Sequence, residues 1–110
     1  MFKVEFVNEN ANAEFLSLPV GLKAKMAHTI LLLENFGKLS EPHSKKLQDD
    51  LFEWRVKAKE GIARGIYSYE KGKIILMLVF FVKKSQKTPK NTLQTARQRL
   101  KEFKNGKDWF

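Results

Sequence analysis

The chain opens on Phe2-Lys3-Val4-Glu5-Phe6-Val7, where apolar and polar side chains alternate. A period of two is the pattern of a half-buried strand. Asn8 to Asn12 reads as a turn, with Asn12 capping a short helix over Ala13 to Leu18. Pro19 suits the first turn of a second helix, which runs to about Asn35. Its apolar stripe is read as Val20, Ala24, Ala27, Ile30, Leu31 and Leu33, with Lys23, Lys25, His28 and Thr29 largely off it. Gly37 follows as a C-terminal stop. These two helices are predicted to form a hairpin.

Residues 38–50 are polar, contain Pro42 and read as a connecting loop. Three strands follow. In Leu51–Lys57 the alternation is strict: Leu51, Glu53, Arg55 and Lys57 face one way, and Phe52, Trp54 and Val56 the other. Ile62 to Tyr69 and Ile74 to Lys83 are joined as a hairpin through Glu70-Lys71-Gly72. The last of these strands is apolar on both faces, as a central strand covered by helices should be. Thr88 as N-cap and Pro89 at the first position open a final helix, with Leu93, Ala96, Leu100 and Phe103 as its stripe and Gly106 as its end. The predicted order is βααβββα. The predicted fold class is α+β: one domain over residues 1–110, a small antiparallel sheet packed against an N-terminal helical hairpin and a C-terminal helix.

Composition narrows the function. There is no cysteine, so disulfides, cysteine zinc sites and thiol nucleophiles are excluded, in keeping with a cytoplasmic protein. The N-terminus lacks the apolar region of a signal peptide. The longest apolar run, Ile74–Val82, has 9 residues, far short of the roughly 20 a membrane-spanning helix needs. Net charge is +9, and its distribution says more: residues 1–44 hold 4 Lys/Arg and 5 Asp/Glu, residues 45–110 hold 17 and 7. A polyanionic partner for the second half is implied.

The basic side chains Arg55, Lys57, Arg64, Lys83, Lys84 and Lys87 lie on or just after three neighbouring strands, and Tyr67 and Tyr69 share the strand of Arg64. Cations hold phosphates and aromatic rings stack on unpaired bases, so the mixture suits RNA. Arg64 stands among Ile62, Ala63, Gly65 and Ile66. A cation in an apolar strand costs free energy unless it is paired or used. Arg64 and Tyr67, three residues apart, point to opposite faces unless a bulge near Gly65 brings them together. His28 and His43 read as surface residues, and no metal or cofactor site is expected. RNA cleavage needs neither, because the 2′-hydroxyl is an internal nucleophile beside the phosphate.

The stretch Leu51-Phe52-Glu53-Trp54-Arg55, Arg64-Gly65-Ile66-Tyr67 and Phe81-Val82-Lys83-Lys84-Ser85-Gln86-Lys87-Thr88-Pro89 resembles the phage-derived HigB-like branch of the RelE/ParE toxin superfamily. The resemblance covers about residues 45–105 and includes Ala96-Arg97-Gln98-Arg99-Leu100; the chain lacks the catalytic histidine that some HigB toxins use. It implies the toxin of a type II toxin–antitoxin pair, an endoribonuclease acting on ribosome-bound mRNA. The implied partner is an antitoxin, a helix-turn-helix protein from an adjacent gene. By position, Arg55 and Arg64 would stabilise phosphate, Tyr67 would stack on a base or transfer a proton, and Lys83 and Lys84 would bind phosphate, one of them as general base. Lys57, Lys87, Lys90 and Arg97 are expected to bind RNA. Two other classes stay open: a non-enzymatic inhibitor of DNA gyrase, as in the ParE branch, and a basic RNA-binding module.

Overall fold

The computed structural model describes residues 1–39, 44–48, 50–83 and 89–107. Its elements are β1 (Lys3–Phe6), α1 (Glu9–Leu16), α2 (Val20–Phe36), β2 (Ser44–Lys46), β3 (Phe52–Ala58), β4 (Gly61–Glu70), β5 (Ile74–Val82) and α3 (Lys90–Lys107). The expected α+β architecture is present, with one short strand, β2, inside the segment read as a loop. The sheet order is β1-β5-β4-β3-β2. It is mixed rather than purely antiparallel, because β1 runs parallel to β5. That pairing follows from the helical hairpin, which carries the chain back across the sheet before β2.

One face of the sheet packs against α1 and α2. Trp54, Val56, Ala63, Tyr67, Ile75, Met77 and Phe80 meet Leu18, Leu22, Met26 and Leu33 there. The other face packs against α3 through Leu51, Ile66, Leu76, Leu78, Val79 and Ala96, with Leu93, Leu100 and Phe103 alongside. The apolar stripe expected for α3 is therefore its buried face. The helix continues through Gly106 to Lys107 rather than ending at the glycine. Thr88, the expected N-cap, lies outside the described residues.

The N-terminal helices depart from expectation. Helix α1 starts four residues early, because Asn8 rather than Asn12 caps it, its Oδ1 accepting from the Ala11 N–H at 2.9 Å. Helix α2 buries Leu22, Met26, Thr29 and Leu33. Of the expected stripe, Leu33 is buried and Ile30 packs against the core, whereas its Val20, Ala24, Ala27 and Leu31 positions face out. Val20 and Leu31 are 80% and 56% exposed, and Ala24 and Ala27 are exposed with them. Thr29 tolerates burial because its hydroxyl donates to the Lys25 carbonyl at 3.0 Å. Gly37 ends the helix in the left-handed region, φ 77°, as predicted.

Strand β3 keeps the predicted phase, with Trp54 and Val56 in the hairpin-side core and Glu53, Arg55 and Lys57 on the α3 side. Strand β4 is regular through Gly65. A side chain at Gly65 would collide with the Trp54 ring, which is why the position has none. The irregularity sits on β5: Ile66 pairs with Val79 and Tyr67 with Met77, so Leu78 is an additional residue. This bulge lies beyond the end of β1, whose last pair is Phe6 with Met77. Side chains replace the missing strand there. Glu14 of α1 accepts the Phe80 N–H at 3.1 Å, and Arg99 of α3 donates to the Leu78 carbonyl at 2.8 Å. Arg99 also grips both Glu14 oxygens, at 2.9 and 2.7 Å. One bidentate pair thus ties α1, β5 and α3 together.

Candidate functional site

Four adjacent strands deliver charged side chains to the α3-side face at one end of the sheet. Lys45 on β2 stands opposite Glu53 on β3. Arg55 stands opposite Arg64 on β4, and Arg64 opposite Phe81 on β5. Two residues on, the Lys83 N–H donates to the Ile62 carbonyl at 2.7 Å, which sets Lys83 at the strand end diagonal to Arg64. Lys57, opposite Ile62, completes the row. Sequence phase alone required Arg55 and Lys57 to share a face. The pairing of β3 with β4 and β5 is what adds Arg64 and Lys83.

Directly opposed like charges such as Arg55 and Arg64 destabilise a sheet. Glu53 offsets this, its carboxylate lying 3.4 Å from the Arg64 guanidinium. Both side chains are almost fully enclosed, 4% and 3% exposed. Arg64 is thus paired and lies beneath the surface, whereas Arg55 is exposed. Breaking a buried pair of this kind is costly, since the remaining charge loses that partner in a site with little solvent.

Lys83 is half-exposed. Its pKa lies below the ordinary 10.5 because solvent is partly excluded and because the guanidinium charges of Arg64 and Arg55 disfavour a further cation; Lys45 acts in the same direction and Glu53 opposes it. An amine with a lowered pKa, held beside two guanidinium groups, can accept a proton next to a bound anion. Among the described residues no histidine takes part: His28 is on the exposed surface of α2.

Tyr67 is not in this cluster. The bulge falls on β5 rather than at Gly65, so Tyr67 keeps the opposite face from Arg64 and is 1% exposed in the hairpin-side core. Its hydroxyl shares a 2.8 Å hydrogen bond with Ser44, its ring stacks on Phe52, and burial raises its pKa. Tyr69 is also on that face, donating to the Gly37 carbonyl at 2.7 Å with its pKa pushed up to about 12 by burial. The aromatic side chains sought for base stacking therefore build the core. Lys90 and Arg97 are exposed on α3. Arg97 lines a polar groove with Asn8, Asn10, Asn91 and Gln98, away from the Arg55–Lys83 cluster. Lys84 and Lys87 lie outside the described residues, as does His43.

Two members of the site were missed in the sequence. Glu53 was visible in phase with Arg55 but carries the opposite charge from the search. Lys45 was hidden because a three-residue polar edge strand has no hydrophobic period to detect.

Residues 13–101 match the model of the family described as "Phage derived protein Gp49-like (DUF891)". Among solved structures, the chain is similar to an arginine double mutant of the E. coli toxin RelE in the free state. That match has 15% identity and TM-score 0.64, covering 89% of this chain and 96% of that one. It is also similar to the archaeal RelE–RelB complex from Pyrococcus horikoshii, at 24% identity and TM-score 0.54, covering 74% of this chain and 93% of that one. At these identities the likeness establishes a RelE-like fold. No curated protein matches.

Proposed function

Because the chain belongs to the phage-derived Gp49-like family and carries its cations on a RelE-like fold, we propose that it is the toxin of a type II toxin–antitoxin pair, an endoribonuclease acting on mRNA. The observation that carries this is the cluster of Lys45, Arg55, Arg64 and Lys83 on one sheet face, with the Lys83 pKa lowered by partial exclusion of solvent and by the neighbouring cations. Such a cluster fits a phosphodiester better than a protein surface, since several cations converge where one phosphate would sit.

In the proposed reaction Lys83, as the neutral amine, takes the proton from the ribose 2′-hydroxyl. The 2′-oxygen attacks phosphorus, a 2′,3′-cyclic phosphate forms, and the 5′-oxygen departs with a proton from solvent. Arg55, exposed on the same face, binds the non-bridging oxygens as negative charge develops. Arg64 acts from beneath as a positioning residue: held by Glu53, it adds to the field that, together with partial burial, lowers the Lys83 pKa. Lys45 and Lys57 track the flanking phosphates, with Lys84 and Lys87 joining them by their place in the motif. The chemistry is specific to RNA because DNA lacks the nucleophile. Ribosome dependence belongs to the same proposal, as does neutralisation by an antitoxin, which the archaeal RelE–RelB complex illustrates for that pair.

The test is induction of the chain alone in bacteria. Growth should arrest, protein synthesis should stop before DNA synthesis, and new 5′-hydroxyl ends should appear within mRNA. Arrest of replication first would favour the gyrase-inhibitor reading, and normal growth with abundant soluble protein would remove the toxin reading.

A further inference from the structure

Helix α2 has a second apolar face that the fold leaves bare. At 100° per residue the buried Leu22, Met26, Thr29 and Leu33 occupy one side, and Val20, Ala24, Ala27 and Leu31 fall on the opposite one. Among the described residues, 4 of the 6 exposed large hydrophobics (Leu16, Val20, Leu31 and Phe36) lie on the helical hairpin, with Phe36 68% exposed. An amphipathic surface helix should be polar outside, so a helix apolar on both sides calls for a second partner. Beside this stripe runs a groove between α2 and β3, about 1090 Å³ in volume. Ala24, Leu32, Phe36, Trp54 and Val56 form its walls. Trp54 is buried, and its Nε1 donor has no acceptor among the described residues. The charged residues along the groove are Lys25, Lys38, Arg55 and Lys57, with no acidic residue among the described lining.

We infer that this groove and the adjoining α2 stripe seat an acidic segment of a partner protein, its apolar side chains against Ala24, Leu31 and Phe36 and its carboxylates on the cationic rim. Charge complementarity selects an acidic occupant and disfavours a second copy of this chain, whose net charge is +9. The walls select protein over RNA: with Trp54 buried, Phe36 is the exposed ring beside aliphatic Ala24, Leu32 and Val56, a mainly apolar surface that a phosphate backbone does not use and on which helix-in-groove recognition is built. Arg55 is shared by the groove rim and the cation cluster, so a partner anchored on α2 continues onto the face proposed to bind RNA. Anchoring and inhibition would then rest on different residues. This inference depends on the toxin reading, which supplies the partner as an antitoxin.

The probe is the product of the reading frame adjoining the gene for this chain, which the inference requires to be acidic, co-expressed and then titrated against the purified chain. Ala24→Glu/Leu31→Glu places two carboxylates on exposed positions of α2, and Lys101→Glu on the exposed surface of α3 is the control for charge alone. The double variant should bind the partner at least tenfold more weakly, keep its melting temperature and cleave RNA as the parent does; the control should bind normally. Unchanged partner binding by a folded double variant overturns the groove assignment while leaving the toxin reading intact, and so does growth arrest by the parent with no complex formed. Weakened RNA cleavage with normal partner binding gives the groove to RNA and overturns it as well. A parent chain that neither arrests growth nor forms a complex removes the toxin reading itself.

Discussion

Replacing Arg64 by alanine is the perturbation whose outcome the structure changes most. Read from sequence, a cation in an apolar strand invites direct use on a phosphate, with little consequence for folding. In the structure its guanidinium is 3.4 Å from Glu53, both side chains 3–4% exposed. Arg64→Ala leaves the Glu53 carboxylate buried without that partner, which costs about 3–5 kcal/mol. For a domain of this size each kcal/mol moves Tm by roughly 4–8 °C, so Tm should fall by about 12–40 °C. Total stability is on the order of 5–15 kcal/mol, so the change removes a large share of it. Removing both charges together is a different experiment. Glu53→Leu/Arg64→Leu takes away the desolvation penalty of both ions, and such replacements are often neutral or stabilising. The double variant should recover most of the lost Tm. Its RNA cleavage should stay impaired because the guanidinium is gone, while the pH dependence should move less than loss of Arg64 alone would move it, because Glu53, which raises the Lys83 pKa, is removed together with Arg64, which lowers it. Thermal denaturation by circular dichroism and a pH series of cleavage rates measure both. If Arg64→Ala melts within about 4 °C of the parent, the buried pair contributes little and the argument fails. If the double variant cleaves at the parent's rate, Arg64 has no role in the site.

Three further outcomes follow, two at the cation cluster and one at the bulge. The rate of RNA cleavage should rise with pH through a midpoint below 10.5, since the neutral amine is the working form. Arg55→Gln removes one of the charges that lower the Lys83 pKa, so it should move that midpoint upward as well as slow the reaction by about 10²–10³; an unmoved midpoint would separate Lys83 from the titration. At the bulge, Glu14→Ala strands Arg99 and the Phe80 N–H, and we expect a loss of about 2–4 kcal/mol by urea denaturation, with Glu14→Ala/Arg99→Ala costing less than the sum of the single changes. Strict additivity would show that the three-element tie is not cooperative.

The sequence by itself determined whatever has a local period or a local signal. The strict alternation of Leu51–Lys57 settled which β3 residues share a face, since side chains on a strand must alternate. The spacing of Leu93, Ala96, Leu100 and Phe103 settled the buried face of α3, because the rest of that helix is polar and leaves one choice. Gly37 could be read as a helix stop because it supplies a left-handed residue at no steric cost. The excess of cations after residue 44 pointed to the sheet as the charged half of the molecule. Helix α2 shows the limit of the method. It is apolar on two sides, so periodicity offered two candidate faces, and only packing against β3 and β1 chose the one with Leu22, Met26, Thr29 and Leu33. Asn8 and Asn12 are equally good caps in isolation; the end of β1 selected the first. Whether Arg64 was paired depended on Glu53, eleven residues away in sequence and on the neighbouring strand. Whether Tyr67 joined it depended on which strand took the bulge, and the end of β1 and the Glu14–Arg99 pair put that bulge at Leu78. Such choices are made by long-range register and by competition for burial, which act only once the strands have met.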